Sequence, residues 1–431
     1  MQLRLGTMSL LAAASMLAGC GGFQAQRSYD EVSKAKPQGD AYHQALYEGY
    51  MEHTTYEQVD MMNYTSAMAH GRKALMAARG ETGRQRQHGP LEATAREAGG
   101  RIGRVLAARN GIVGVLREAL VDTADISAAD LARLRCTPGG AFGSCRFDLD
   151  PEERNPAQYD RLFAVLAAHD IGFFLYNGGN GSMETCRQIQ AAARDRGYPL
   201  TVVGVPKTID NDIVHTDCCP GFGSAAKYLA TSVREVGLDL NAMTTTGGRA
   251  FVLEVMGRNA GWLAAACALA ADSPDCAPHI ILLPEVPFEE VPFMTRVRET
   301  VERLGSCAIV VAEGLRGTDG QILSMQAQHP KGYVQLGGAG EAIADRIHSE
   351  LGYKVHYAVA DYLQRAARHL ASRTDTNQAF AVGKAAVRRA LAGEGGVIGI
   401  KRLSGRPYRW RTIQVAFEKV ANLERTLPPD F

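Results

Sequence analysis

The densest concentration of reactive groups in this 431-residue chain is Pro206-Lys207-Thr208-Ile209-Asp210-Asn211-Asp212, which follows the apolar run Thr201 to Val205. Asp210 and Asp212 offer a general base and a metal- or phosphate-facing acid, and Lys207 offers a cation for charge developing on a phosphoryl group. A purely structural Asp-x-Asp turn needs neither the lysine nor the threonine. A second group, Asn177-Gly178-Gly179-Asn180-Gly181-Ser182, follows the run Ile171 to Tyr176 and precedes a helix expected to begin near Met183. Glycines there let the backbone approach a ligand, and free amides at a helix start bind anions such as phosphate. Taken alone, such a strand-to-helix turn is as often just a tight turn.

Both segments follow short apolar runs, so the elements that position them are strands. Val202 to Val205, Phe251 to Val255, His279 to Leu283 and Ala308 to Val311 alternate with helical patterns, which indicates a parallel sheet covered on both faces. In such folds the chemistry sits at the carboxyl ends of the strands. At roughly 150 residues per domain the length allows two to three units. Lysine and arginine number 47 against 46 acidic residues, a net charge of +1, so no electrostatic footprint for nucleic acid is present. With 46% hydrophobic and 22% charged residues the composition is that of a soluble fold, and no run of 18 apolar residues spans a bilayer. Nine cysteines, an odd count without a Cys-x-x-Cys pair, argue against a disulfide framework or a zinc ribbon and for a reducing compartment. The vicinal Cys218-Cys219 is read as a loop or core feature, since adjacent cysteines rarely chelate one ion.

The start of the chain has a different character. Arg4, the apolar run Met8 to Leu17 and Leu17-Ala18-Gly19-Cys20 have the layout of a secretory signal, and the last four residues resemble a bacterial lipobox with Cys20 as the lipidated residue. Residues 21–82 read as a helical leader: Tyr42, Leu46 and Tyr50 repeat at helical spacing, and a further helical stretch around Met68 and Leu75 ends at Gly80. Residues 83–90, rich in Arg, Gln, His and Gly, read as a junction.

The Thr-Ile-Asp-Asn-Asp core of the first motif resembles the central motif of the phosphofructokinase family. In the same order, Thr137-Pro138-Gly139-Gly140 to Gly143-Ser144-Cys145-Arg146, Pro220 to Lys227, Glu254-Val255-Met256-Gly257-Arg258-Asn259-Ala260-Gly261-Trp262, Ala312-Glu313-Gly314 and Tyr362-Leu363-Gln364-Arg365 resemble that family's other segments, over about residues 91–428. The resemblance implies an α/β fold of two Rossmann-like three-layer lobes. The donor lobe would be 91–221 with a C-terminal return, 364–431, and the sugar-phosphate lobe 222–363. It implies phosphorylation of fructose 6-phosphate at its 1-hydroxyl with Mg²⁺, in glycolysis or gluconeogenesis, by a cytoplasmic homo-oligomer, dimer or tetramer. Asp210 would be the general base, supported by Asp212, with Lys207 and Arg258 stabilising the transferring group. Thr208, Ile209, Met256, Gly257, Arg258, Glu313, Tyr362, Leu363, Gln364 and Arg365 would hold the sugar phosphate, Arg249 reaching that of a neighbouring subunit. Arg146, Gly178, Gly179, Gly181 and Ser182 would hold the donor, and Asn180 would face the metal.

Three departures from the family pattern bear on this. Lys207 is typical of the pyrophosphate-dependent branch, whereas Gly181 stands where that branch has an aspartate occupying the space of the ATP α-phosphate. Pyrophosphate is therefore the expected donor, with ATP the alternative. His356 replaces a usual arginine, which predicts weaker sugar-phosphate binding. The family's first strand and its Gly-Gly turn are absent, Leu91 to Gly103 already matching the helix after them. A catalytically dead envelope lipoprotein carrying a kinase-like remnant is the alternative from a different class.

Overall fold

Short Val/Ile/Leu-rich runs buried on both faces become strands, and the amphipathic stretches between them become the helices that cover the sheets. In the computed structural model the described residues are 75–77, 102–127, 129–130, 140–243, 249–328 and 334–428. The strands are β1 Leu75–Ala77, β2 Arg104–Ala108, β3 Leu120–Asp122, β4 Ile171–Gly178, β5 Thr201–Pro206, β6 Ala250–Val255, β7 Ile280–Leu282, β8 Cys307–Ala312, β9 Met325–Gln328, β10 Val334–Leu336, β11 Val355–Val359, β12 Gly396–Gly405 and β13 Tyr408–Val415. The helices used below are α1 Ile112–Leu116, α2 Pro156–Ala168, α3 Asn180–Asp195, α4 Phe222–Ala242, α5 Trp262–Ala266, α6 Glu290–Leu304, α7 Ala339–Leu351, α8 Leu363–Ala366 and α9 Arg373–Leu391.

A seven-stranded sheet has the order β13-β12-β5-β4-β1-β2-β3, and a four-stranded sheet the order β11-β6-β8-β7. The second sheet is parallel throughout, and all six residues of β8, one of its two inner strands, are buried. Each sheet is the middle of three layers. Leu162 and Leu166 of α2 and Met183 and Ile189 of α3 pack on one face of the larger sheet, and Val382, Ala386 and Val387 of α9 on the other. Leu229 of α4 and Leu263 of α5 cover one face of the smaller sheet, and Val297 of α6 with Ile343 of α7 the other. The two-lobed α/β architecture read from the sequence is therefore the one observed.

Local differences have physical causes. The stretch around Leu75, expected to be helical, is strand β1, antiparallel to both β4 and β2. Three consecutive apolar residues, Leu-Met-Ala, lie between two strands whose facing edges would otherwise leave backbone groups unpaired. A short antiparallel strand thus precedes Leu91, where the sequence reading expected no strand. Helix α3 begins at Asn180 rather than Met183, because β4 runs on to Gly178 and Gly179 is the helix cap. Ile102 and Gly103 lie outside any helix; the rest of the helix read over Leu91 to Gly103 lies outside the described residues, as do Cys20, the leader tyrosines and the 83–90 junction. The β12–β13 hairpin had no counterpart in the sequence reading. It adds β12 in parallel to β5, at Gly396↔Val203 and Val397↔Gly204.

One buried carboxylate fixes how the α4 start meets α9. Asp375, 1% exposed, accepts hydrogen bonds from the backbone N–H of Gly221 at 2.8 Å and of Ser224 at 3.2 Å, and from the Ser224 hydroxyl. Asp375→Ala would strand these donors in the interior and is expected to cost about 2–3 kcal/mol, read from the urea midpoint. Unchanged stability would contradict this role.

Candidate active site

The two chemistry-bearing loops are neighbours because their strands are. Parallel pairing of β4 and β5 ends with Gly178 opposite Pro206, and the Lys207 N–H donates to the Gly178 carbonyl at 2.8 Å. The glycine-rich turn and the aspartate loop thus leave the sheet side by side, at the carboxyl ends of its strands. Beyond Lys207 the loop is pinned from within. Asn211 takes a left-handed φ of 56°, a conformation asparagine tolerates, and its buried Oδ1 accepts from the Cys219 N–H at 2.8 Å. Thr208 is buried, bridges to Gly221, and accepts from the Asp210 N–H through its hydroxyl at 3.1 Å. Cys219 is fully buried and Cys218 half-buried, in keeping with a loop and core role.

Burial is the main influence on Asp210 and pushes its pKa up to about 7; Asp212 and Glu313 push the same way, and Lys207 and the Thr208 hydroxyl oppose them. Asp212 is also raised, chiefly by burial, against hydrogen bonds from its own backbone, Thr208 and Asn180. The Asn180 Nδ2 donates to Asp212 Oδ2 at 2.8 Å, joining the glycine turn to the aspartate loop. The other oxygens of this pair, Asn180 Oδ1 and Asp212 Oδ1, are buried and accept no hydrogen bond. Two hard oxygen atoms without donors, on a pair of hydrogen-bonded side chains, are suited to a small divalent cation that draws its remaining ligands from water and phosphate. Among the described residues no group of three or more His, Cys, Asp or Glu could hold a metal.

In the glycine turn, Gly179 caps α3 and the N–H of Ser182 returns to its carbonyl at 3.1 Å. Gly178 has to be glycine, since a Cβ would lie 1.9 Å from the Ser182 hydroxyl. A Cβ on Gly181 would meet the Asp148 Oδ1 at 3.5 Å, so a carboxylate from another segment stands beside the position where Gly181 has no side chain. Arg146 is exposed two residues earlier on that segment.

A second cluster forms at the carboxyl ends of β6 and β8, where Val255 pairs with Ala312. Gly257 N–H points to Glu313 Oε1 at 3.4 Å, and Glu313 N–H donates to the Val255 carbonyl at 2.9 Å. Gly257 adopts φ 146°, and Gly314 packs where a Cβ would overlap the Arg258 carbonyl at 1.9 Å. The buried Gln364 at the start of α8 accepts from the Met256 N–H at 3.3 Å, and the Arg365 guanidinium lies 4.1 Å from the centre of the Tyr362 ring. Glu313 acts electrostatically on Asp210, so the two clusters lie within electrostatic range of each other.

The fold therefore gathers Lys207, Thr208, Asp210, Asp212 and Asn180 into one cluster and Met256, Gly257, Arg258, Glu313, Gln364 and Arg365 into another. Ile209 contributes its side chain to the core, with Leu229 and Leu253, while Tyr362 and Leu363 are exposed. Arg249 precedes the amino end of β6, opposite the Met256 end, with its guanidinium toward the Gly305 carbonyl at 3.4 Å; His356 is exposed on β11, opposite Phe251. These two stand apart from the strand-end clusters. The sequence reading missed Glu424, Arg425 and Leu427, which cross the back of the aspartate loop; no local motif marks them, because their partners lie more than one hundred residues away.

Glycine-capped helix starts and buried carboxylates at the ends of parallel strands in two facing lobes define an α/β phosphotransferase. Comparison with known proteins names the family: the chain belongs to the phosphofructokinases, the phosphofructokinase family model matching residues 91–390. A pyrophosphate--fructose 6-phosphate 1-phosphotransferase from Xanthomonas campestris pv. campestris is 54% identical over 338 residues, which cover 78% of this chain and 81% of the relative. The enzyme of the same name from Methylococcus capsulatus is 52% identical over 345 residues, covering 80% and 82%. Among solved structures, the pyrophosphate-dependent phosphofructokinase from Marinobacter aquaeolei superposes with a TM-score of 0.72 at 44% identity, covering 85% of this chain and 83% of its own. The one from Nitrosospira multiformis gives 0.73 at 41%, covering 86% and 84%.

Because its folded-state pKa is raised from the ordinary carboxylate range to about 7, Asp210 holds its proton in the folded chain where the unfolded chain has lost it. It therefore costs stability that grows as pH rises from about 4 to 7 and is fully present above that. Asp210→Asn is expected to be more stable than the parent at pH 8 and no more stable at pH 4, by urea denaturation. If the aspartate is the base, the parent's turnover should rise with pH through about 7, and the same variant should lose about 10²–10⁴-fold in turnover. A parent whose turnover is flat from pH 6 to 8 would contradict the assignment.

Proposed function

We propose that this chain transfers a phosphoryl group between pyrophosphate and the 1-hydroxyl of fructose 6-phosphate, and that the donor lobe carries the seven-stranded sheet and the sugar-phosphate lobe the four-stranded one. The observation that carries the reading is the union of the Lys207–Asp212 loop with the α3 start through the Asn180–Asp212 hydrogen bond, facing Glu313. Asp210, with its carboxyl held near neutrality, takes the proton from the attacking 1-hydroxyl. Lys207 and Arg258 neutralise charge on the transferring group, and the α3 amides with Arg146 hold the leaving phosphate. Phosphoryl transfer depends on positioning and charge stabilisation, which is what this arrangement provides. Thr208, Met256, Gly257, Glu313, Tyr362, Gln364 and Arg365 orient the sugar phosphate. Asn180 and Asp212 would hold Mg²⁺ through their free oxygens, and bound magnesium would offset the negative charge of the donor phosphates.

Two features support pyrophosphate over ATP. Lys207 places a cation at the transfer end, and the Asp148 carboxylate stands beside Gly181, where a longer donor would have to pass. The exposed face of β11, carrying Tyr357 and Val359, and the exposed Tyr362 and Leu363 beyond it support a homo-oligomer in which Arg249 serves a neighbouring site. The substrates are cytoplasmic compounds, so the body would act in the cytoplasm; no helix among the described residues is long and apolar enough to cross a membrane.

The test is donor choice in full-length protein with Mg²⁺. The parent should prefer pyrophosphate at least about 100-fold in kcat/KM, and Asp148→Ala should raise the rate with ATP relative to pyrophosphate by about 5-fold, the scale of one removed charge at an exposed position. Lys207→Gly should lower the pyrophosphate rate. A parent that uses ATP better than pyrophosphate would overturn the donor assignment.

A further inference from the structure

We infer that Arg425, in the tail after β13, is a positioning residue that holds the Asp210 loop in its reactive geometry by clamping it to the opposite lobe. After the Phe417–Lys419 turn the chain runs back across the exit of β5. There the Arg425 N–H donates to the Asp212 carbonyl at 2.7 Å, and Glu424 forms a bridge with Ile213. The Arg425 guanidinium spans the loop from behind: its Nε donates to the Asn211 carbonyl at 3.2 Å, and its two terminal nitrogens reach the Asp217 carbonyl, each at 3.0 Å, with Nη1 also on the Thr216 carbonyl. A single side chain thus satisfies the carbonyls of both ends of the turn that presents the aspartates.

The same tail is fastened to the other lobe. The Arg425 guanidinium lies 4.5 Å from the centre of the Trp262 ring at the start of α5, and the Trp262 indole N–H donates to the Arg425 carbonyl at 2.9 Å. Asn259 donates to both Glu424 carboxylate oxygens, at 3.2 and 3.0 Å. Leu427 N–H donates to Glu285 Oε1 at 3.0 Å, and Gly261 N–H to the same oxygen at 2.8 Å. Asn259, Gly261 and Trp262 lie one, three and four residues after Arg258 in sequence. One tail therefore ties the aspartate loop of one lobe to the segment that carries Arg258 in the other, and sets the distance between the two clusters. A rigid planar guanidinium is suited to several carbonyls and a ring face at once; an ammonium is not.

The inference rests on the proposed phosphotransferase reading for its kinetic half, so the test has two arms on the full-length chain. Amide hydrogen exchange in Arg425→Ala should rise at residues 207–217 while β4 and β5 keep their protection, and Leu166→Ala, a core change in α2 that loosens the fold elsewhere, should leave 207–217 as in the parent. In steady-state assays with pyrophosphate, Arg425→Ala should lose about 10- to 100-fold in kcat with KM for fructose 6-phosphate within about three-fold, as expected for misplaced reacting groups. Arg425→Lys should recover only part of this. Unchanged exchange at 207–217 would overturn the clamp whatever the kinetics, and so would a kcat no lower than that of Leu166→Ala. Raised exchange in the variant of a chain whose parent has no activity would uphold the clamp and remove the phosphotransferase reading instead.

Discussion

Everything in the site depends on the parallel pairing of β4 with β5. β4 ends at the single residue Gly179 that caps α3, β5 ends in an irregular loop, and the ladder from Phe173↔Thr201 to Gly178↔Pro206 decides that the two start from the same row. Val202 packs into the layer under α2 and α3 while Val203 and Val205 pack under α9, so a shift of one residue would exchange the two faces and break the packing of both layers, and the same packing fixes the register of the loops. The smaller sheet repeats the device: β6 and β8 end together at Val255↔Ala312, and from that row come the Met256–Arg258 and Glu313 segments. Two sheets with registered ends, facing each other, are sufficient to bring together residues one hundred positions apart.

Burial then gives the carboxylates their chemistry. Asp210, Asp212 and Glu313 are all raised, in each case chiefly by loss of solvent, and each meets a partial counterweight: Lys207 and Thr208 at Asp210, Asn180 at Asp212, the Gly257 N–H and Arg258 at Glu313. A carboxyl held near neutrality is a stronger proton acceptor than an ordinary surface aspartate and remains ionised for a large fraction of the time at pH 7. The cost is borne by packing elsewhere, in the covered layers and in buried links such as Asp375 to the α4 start. Excess carbonyl and carboxylate oxygen around the aspartate loop is met on the back by Arg425 and on the open side by Lys207.

Much of this was legible in the sequence where local pattern carries the information. The apolar runs marked β4, β5, β6, β7 and β8 to within two residues at either end, and Lys207-Thr208-Ile209-Asp210-Asn211-Asp212 with Met256-Gly257-Arg258 pointed to the family that the comparisons show. The helix start at Asn180 was misplaced because three glycines in four residues look like a loop, whereas two of them serve as strand end and helix cap. Leu75–Ala77 was misread as helix since three residues carry no period of their own; their pairing with β4 and β2 decides. The β12–β13 hairpin and the Arg425 tail are long-range by nature. Arg402 and Tyr408 of the hairpin hold Asp217 at 3.0 and 2.8 Å, and nothing near either residue in the sequence announces that contact.

The central claim is that the two clusters form one phosphoryl-transfer site. Phosphorus NMR on the full-length protein with Mg²⁺, pyrophosphate and fructose 6-phosphate tests it most directly, because donor, leaving phosphate and new ester are seen at once. The account predicts that the pyrophosphate signal declines as inorganic phosphate and a second sugar phosphate ester grow in equal amounts, only when fructose 6-phosphate is present. A folded protein that leaves the pyrophosphate signal unchanged, or that releases phosphate without forming the ester, would contradict it.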